Sequence, residues 1–390
     1  MQTGFRKNQR PDNGKKKQKG LIVHKNPTVA FNTIFGRIGI RSPYLWLEGI
    51  SSSKPLLDDM KIYHNSRSEA VIRALSDFGI EESFANAATR FGEHYHYEIG
   101  PSAVARSTKK TAQQAMDFIE DKFSDVEPVQ DNDAIKQMLV ELDGCEIRTA
   151  QFTRVEGTTE TTPVYNNPQK AKIIKWRDVR LGFARPLDSE SKIFAGKMDS
   201  YPSVVSQMHS AAVLIGMTPE TQVVGVADGG IGLSEELKKQ FSTMQFILDK
   251  SHLRDHLYET AEELGIKKKE RSAWVNQRVK DISAGKIDAV LKELEDENEK
   301  NSNKRRSRLI GYIKRFSDSL NYGKFKSMGY PIGSGEIESA HKSIPQKRLK
   351  IPGASWKSDS INPMLSLRIL RANGWWEDFW EQRTEEVEAA

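Results

Sequence analysis

Apolar and polar residues alternate from Thr33 to Arg41, with breaks at Gly36 and Gly39. This predicts a small β element running into Pro43-Tyr44-Leu45-Trp46. Ser51-Ser52-Ser53-Lys54-Pro55 reads as a loop. From 66 to 120 the spacing turns helical. Ala70, Val71, Leu75 and Phe78 share one face up to Gly79, and Phe84, Ala88 and Phe91 form a second stripe before Gly92. A third helix starts at Gly100-Pro101-Ser102, with proline in the first turn, and its exposed side should carry Arg106, Ser107, Lys109 and Lys110. Three short helices with a basic last member fit a helix-turn-helix-like unit, although any small helical bundle gives the same pattern.

The pattern then changes to strands. Met138–Leu142 predicts a strand ending at Asp143-Gly144, and Ile173–Ala184 and Lys192–Gly196 predict two more. A helix over Ser203–Ile215 turns Val204, Met208, Ala211 and Ala212 inward. Val223–Ala227 is a buried-type strand ending at Asp228-Gly229-Gly230, with a helix around Glu235–Phe241 after it. Phe246–Leu248 ends at Asp249, and a long helix carrying His252 and His256 follows. Residues 258–330 are helical and highly charged, with Glu295–Lys304 as an exposed helix or loop. Three antiparallel-type strands, a helix, a strand, a helix and a strand make an α/β mixed sheet. That order resembles the ribonuclease H-like fold, in which the first and fourth strands are neighbours.

The expected organisation is a basic tail over 1–20, a small β element over 21–60 and a helical DNA-binding domain over 61–123. An acidic, proline-containing linker (124–136) leads to the first part of the ribonuclease H-like core over 137–257. A helical insertion (258–330), the second part of that core (331–382) and a tail (383–390) complete the chain.

Charge sharpens this picture in one place. The net charge of +6 resides entirely in residues 1–20, where seven Lys and Arg face the single Asp12. Such a segment gains affinity for nucleic acid by releasing counterions, or serves only as a solubilising tail. In the body, Lys304-Arg305-Arg306-Ser307-Arg308 is a local basic cluster. No apolar run approaches membrane-spanning length, and the N-terminus lacks the apolar stretch of a secretory signal. The single cysteine, Cys145, excludes an intrachain disulfide and a cysteine-based zinc site, and suggests a reducing compartment.

The candidate chemistry lies in carboxylates. Glu336 and Glu338 are the only acids from Pro331 to Lys357, in an otherwise basic segment behind Gly333-Ser334-Gly335. Two apart, they stand about 200° around a helix and cannot share a role. Phosphoryl transfer on DNA uses two divalent cations about 3.5–4 Å apart, held by carboxylates. Asp143 and Asp228 each follow a hydrophobic strand and precede glycine, so on neighbouring strands they would share a cation. Taken singly, an Asp-Gly pair is ordinarily a turn, and a glutamate in a first helical turn is ordinarily solvated. Asp249 reads as a turn residue, an accessory ligand or a DNA contact. His252 and His256 are four apart, but no third histidine stands nearby to complete a zinc site.

The carboxyl-terminal pattern discriminates further. Gly-Ser-Gly-x-x-Glu-Ser (333–339), Gln-x-Arg-Leu-Lys (346–350), Gly353, Trp356, Leu-x-Leu-Arg (365–368) and Asn373-Gly374-x-Trp376-x-x-Phe379-Trp380 resemble insertion-sequence transposases of the ISKra group. Asp143-Gly144, Trp176-Arg177-x-Val179-x-x-Gly182, Asp228-Gly229 and Leu248-Asp249-x-x-His252 extend the resemblance over about 138–382. It implies a DDE transposase with a ribonuclease H-like catalytic domain and an acidic triad of Asp143, Asp228 and Glu338 holding Mg²⁺ or Mn²⁺. It selects Glu338 over Glu336. It also implies double-stranded DNA as partner, homo-oligomers on DNA, a cytoplasmic, nucleoid-associated location, and neither a membrane nor a small-molecule substrate.

His252, Lys342, Lys347, Arg348 and Lys350 are the expected phosphate or flipped-base contacts. Trp356 either stacks on a base or is buried. Arg106, Lys109 and Lys110 would meet the element's terminal repeats. The alternatives are a ribonuclease H-like nuclease or resolvase that cuts without joining, and a non-enzymatic, domesticated DNA-binding regulator. Residues 30–50 lack the Cys-rich zinc-binding segment often found in the family. Pro345 lies inside the glutamate helix and predicts a kink or an early end.

Overall fold

The computed structural model describes residues 22–47, 50–62, 66–124, 126–127, 135–154 and 170–389. The expected basic tail and most of the expected linker lie outside the described residues. The chain divides into two compact units, residues 1–74 with 90–98, and residues 75–89 with 99–390. The expected boundary after residue 123 is therefore not where the chain divides.

In the first unit, β1 (Ile22–Lys25), β4 (Tyr44–Leu47) and β5 (Ile50–Ser53) form one three-stranded sheet. β2 (Thr28–Thr33) and β3 (Gly36–Arg41) form a hairpin, joined in parallel by β6 (Ser66–Arg67). Val29, Leu57 and Ile62 pack with Phe31 and Ile40 as its core, and Tyr97 Oη donates to the Thr33 carbonyl at 2.6 Å. The alternation from Thr33 is thus the second half of a hairpin. The expected loop at 51–55 holds β5 and the start of α1 (Pro55–Asp59).

Helices α2 (Glu69–Glu81), α3 (Phe84–Tyr95) and α4 (Pro101–Phe123) fall where the periodicity places them. Gly79 does not close α2. It is glycine because Thr108 Oγ1 lies 2.1 Å from where a Cβ would stand. The 23-residue α4 buries Val104, Thr111, Ala115 and Phe118 and packs against α14 (Ile361–Ala372). It is a core helix of the second unit rather than a freestanding recognition helix. Ser107, expected on its exposed side, is buried, while Arg106, Lys109 and Lys110 are exposed.

The second unit is built on a five-stranded mixed sheet. Its strands are β7 (Gln137–Arg154), β8 (Lys170–Pro186), β9 (Ile193–Lys197), β10 (Gln222–Ala227) and β11 (Gln245–Leu248), in the order β11-β10-β7-β8-β9. β7, β8 and β9 run antiparallel in succession, and β10 pairs in parallel with both β7 and β11. Met138, Leu139, Val140, Val224 and Val226 are fully buried, as continuous apolar runs in a two-sided sheet require. α5 (Tyr201–Ile215) packs on β8 and β9, and α6 (Leu233–Gln240) connects β10 to β11.

β7 does not end at Asp143. It continues to Arg154, paired with β8 throughout, because cross-strand bonds sustain a segment whose own sequence resembles a turn. Along this extension its other edge is taken up by Trp356: Ala150 N donates to the Trp356 carbonyl at 2.8 Å, and Trp356 N to Arg148 at 3.0 Å.

Helices α7 (Lys250–Glu263), α8 (Lys268–Ser283), α9 (Ile287–Lys300), α10 (Lys304–Arg315) and α11 (Tyr322–Ser327) follow. The basic cluster at 304–308 is partly internal. Arg306 is buried against Glu297 and the Asn301 carbonyl, and Arg305 pairs with Glu259. The chain closes with α12 (Gly335–His341), a π turn (Lys342–Gln346), α13 (Lys347–Leu349), α14 and α15 (Trp376–Ala389), so the expected tail from 383 is helical to Ala389. Among the described residues, no helix is long and apolar enough to cross a membrane.

Candidate active site

The register of the two central parallel strands decides where the aspartates stand. Leu142 is partnered with Ala227, the last residue of β10. Asp143 and Asp228 are each the next residue, so they occupy adjacent positions where β10 ends. Asp143 Oδ1 accepts from the Gly144 amide at 2.7 Å, and Asp228 Oδ1 from the Gly230 amide at 3.0 Å. These local bonds aim each carboxylate and leave Oδ2 of each free of them.

Two tyrosines wall the Asp228 turn. The Tyr312 ring lies 2.3 Å from where a Gly229 Cβ would stand, so any larger residue there collides with α10. Tyr201 Oη and Asp228 Oδ1 both fall within 3.2 Å of the same position at Gly230. Burial, then the negative charges of Asp228 and Asp249, push the Tyr312 phenol well up, so it stays protonated. The His256 ring packs on Tyr312 with centroids 4.4 Å apart and planes tilted by 56°, and its Nδ1 is 3.4 Å from Arg305 Nη2. Burial and the Arg305 charge push its imidazole down. A ring engaged in this way is a packing group.

α12 is laid along β7 by three anchors. Asp249 is 0% exposed; it accepts from the Ser251 and His252 amides as the N-cap of α7, and from the Ser334 amide (2.6 Å) and hydroxyl. It thereby ties the end of β11 to the Gly-Ser-Gly segment, and the turn reading is the one realised. Glu141, 1% exposed, accepts from the Ile337 amide at 2.9 Å. Burial pushes its carboxyl up to about 8 despite that bond, with the Glu336 charge adding to the rise, so it is largely protonated at neutral pH. His341 Nε2 lies 3.0 Å from the Asp143 carbonyl, to which it donates, and 4.0 Å from Asp143 Oδ2. Burial pushes this imidazole down, against the Asp143 charge.

The two glutamates separate as the 200° spacing requires. Glu336 pairs with Arg185 (Nη2–Oε1 2.6 Å, Nε–Oε2 3.1 Å) and with Lys192. Against the upward push of burial, these bonds hold its carboxyl below the usual range. Glu336 fastens α12 to β8 and to the segment before β9. Glu338 is exposed, makes no side-chain bond among the described residues, and lies between the Ile337 and His341 anchors. Among the described residues no three His, Cys, Asp or Glu side chains are gathered closely enough to hold a metal ion. In kind, the carboxylate oxygens of Asp143 and Asp228 suit a hard cation such as Mg²⁺ or Mn²⁺, and Glu338 is exposed on α12, the helix whose His341 meets Asp143.

Pro345 is accommodated by the π turn. Lys347 N bonds to the Lys342 carbonyl, five residues back, so the helix widens rather than breaks. The Ala340 carbonyl accepts from Ser343 Oγ at 3.2 Å. Arg368 Nε donates to Ile344 at 3.0 Å, and its Nη2 to Ser343.

The expected DNA contacts divide sharply. Lys342 and Lys350 are exposed, and the Lys350 charge reaches His341 and Cys145. His252 is half-buried, with its amide on Asp249. Lys347 pairs with Glu81. Arg348 is 3% exposed, donates to the Gly79 carbonyl at 2.8 Å, and lies between the rings of Phe84 (4.6 Å) and Trp356 (4.8 Å). Trp356 is buried with Nε1 on the Leu349 carbonyl. Both belong to the core, which corrects their placement as DNA contacts. Together with Arg368, which donates to the Ile80 carbonyl, Arg348 satisfies carbonyls at the end of α2.

Glu141, His341, Tyr201 and Tyr312 were not singled out by sequence reasoning. Glu141 carried a signal, a lone acid inside an apolar central strand. The tyrosines carried none.

No protein-family model matches the chain, and no curated protein matches it. Among solved structures it is similar to the Drosophila P element transposase strand transfer complex, at 11% identity over 86% of this chain and 84% of that one, with a TM-score of 0.29. It is also similar to the Mos1 strand transfer complex, at 7% identity over 65% of this chain and 77% of that one, with a TM-score of 0.18. At these scores neither similarity carries an argument, and the function is read from the chain's own residues.

Proposed function

We propose that this chain is a DNA transposase of the DDE type, with a ribonuclease H-like catalytic sheet, encoded by an insertion sequence of the ISKra group. The observation that carries the reading is the Leu142–Ala227 register, which sets Asp143 beside Asp228 with α12 along the same strand. Three antiparallel strands continued by two parallel ones, with helices inserted before the glutamate helix, support the fold assignment. The chemistry contributed by bound Mg²⁺ or Mn²⁺ is Lewis-acid stabilisation of the phosphoryl oxygens.

The protein's part is positioning. Asp143 and Asp228 are fixed at the ends of buried apolar runs, and their carboxylates would hold one cation. Glu338 would ligate a second cation from α12, whose position is held by Asp249, Glu141 and Glu336. His341 orients the backbone at Asp143. Such preorganisation lowers the barrier without any covalent enzyme intermediate. Lys342 and Lys350 take phosphates beside the cut, and the exposed edge of α4 with Arg106, Lys109 and Lys110 takes duplex backbone. DNA ends, a target duplex and a second copy of the chain are the partners.

The test is cleavage and joining of end-containing DNA with purified protein and Mg²⁺. Alanine at Asp143, Asp228 or Glu338 is expected to lower cleavage by roughly a thousandfold, since several kcal/mol of charge stabilisation is lost, while duplex binding persists. Cleavage by Asp228→Ala at the unmodified rate overturns the site. Cleavage without joined product overturns the transposase reading in favour of a nuclease.

A further inference from the structure

A cleft of about 450 Å³ opens away from the acidic site, on the extension of β7 and β8. Ala150 lies in its wall, seven residues beyond Asp143, or about 20 Å at roughly 3.3 Å per residue. Lys109, Lys172 and Lys357 line it, with the buried Arg348 behind them, and no acidic side chain does among the described residues. The three lysines are exposed and make no ion pair among the described residues. This sets them apart from Lys347, Arg368 and Arg371, which have carboxylate partners. Phe84 and Phe152 contribute ring surface, and Phe152 is 49% exposed at the mouth. A large aromatic side chain left half in water among unpaired ammonium groups contributes little to folding.

Flat apolar surface and several unneutralised cations within one cleft are complementary to one chemical unit, a base with its phosphate. A duplex offers phosphates to the lysines but keeps its bases stacked and away from Phe152. A single strand offers both, because every base has a face that stacks on an aromatic ring. The volume falls in the range of small-ligand clefts, which accords with one unstacked nucleotide rather than a helix.

We infer that this cleft binds an unstacked nucleotide of single-stranded DNA, with Phe152 as the stacking surface and Lys172 and Lys357 as the phosphate contacts. The inference rests on the proposed function only for the choice of DNA as the polymer. The site is separate from the acidic residues and requires no metal.

The test uses the full chain in EDTA, with fluorescence anisotropy of a labelled oligothymidylate, a duplex of equal length and free thymidine monophosphate as competitor. Phe152→Ala is expected to weaken oligothymidylate binding about tenfold, the scale of one lost base–aromatic stack, and to leave duplex binding unchanged. Lys172→Gln with Lys357→Gln should weaken the single strand and flatten its salt dependence. These side chains are exposed, so unchanged melting temperatures certify the folds.

Equal affinity of Phe152→Ala and unmodified protein for the oligonucleotide overturns the proposal. So does an equal loss on duplex, which would make the cleft a general cation patch. Competition by the mononucleotide at the oligonucleotide's own concentration overturns it in favour of a free-nucleotide site. Because no cleavage is measured, failure here leaves the transposase reading standing, and failure to cleave or join DNA leaves this result standing.

Discussion

The two halves of β7 are built for different purposes. From Gln137 to Leu142 it is flanked by β8 on one edge and β10 on the other, and its apolar side chains are fully buried. Beyond Asp143 the parallel neighbour is gone, a single bridge at Trp356 replaces it, and Phe152, Ile173 and Trp176 are left exposed on the hairpin. The first half holds Glu141, and at its end Asp143, with a neighbouring strand on each edge. The second presents rings and lysines to whatever approaches. Catalytic geometry needs rigid support on both edges of a strand, whereas a recognition surface needs only one.

This contrast can be broken by mutation. The largest effect on stability belongs to Asp249→Ala. It removes four accepted bonds and leaves the buried Ser334 amide without its partner, at a cost of about 3 kcal/mol. Chemical denaturation measures this, and Asp249→Asn, which keeps an acceptor, should recover part of it. A change under about 0.5 kcal/mol, the scale of surface substitutions, would mean that the end of β11 does not hold α12. Glu336→Ala comes next. It strips Arg185 of its carboxylate, and since Glu336 is partly solvated the loss is about 2 kcal/mol rather than the full value of a buried pair. DNA cleavage should fall with it as α12 loosens, and full cleavage would make the anchor dispensable. The smallest effect belongs to the extension. Phe152→Ala should leave stability within about 0.5 kcal/mol, and a larger loss by denaturation would mean that the hairpin is a packed element after all.

The sequence made the first half of β7 legible and left the second half hidden. Met138–Leu142, Val223–Ala227 and Phe246–Leu248 are short apolar runs whose burial is local information, and each lies in the strand expected of it. The overshoot to Arg154 depends on pairing with residues beyond Lys170, and no property of Asp143-Gly144 itself announces it. The three carboxylates could be nominated from sequence, but the anchors of α12 could not, because Glu336 finds Arg185 across 151 positions and Ser334 finds Asp249 across 85. For the same reason the basic run at 346–350 looked like a DNA track. Arg348 is drawn into the interior by Gly79 and Phe84, more than two hundred positions earlier in the chain, and Pro345 looked like a helix breaker until Ser343 and Arg368 supplied the missing bonds.

The central claim is that Asp143 and Asp228 hold one cation between them. The most direct measurement is Mn²⁺ binding by electron paramagnetic resonance on the full chain, for the unmodified protein and for Asp143→Asn and Asp228→Asn separately. Either substitution alone should abolish the same bound ion, while Glu336→Gln should leave it in place. Retention of that ion by Asp228→Asn at unmodified affinity would contradict the account, because the two aspartates would then not share a metal.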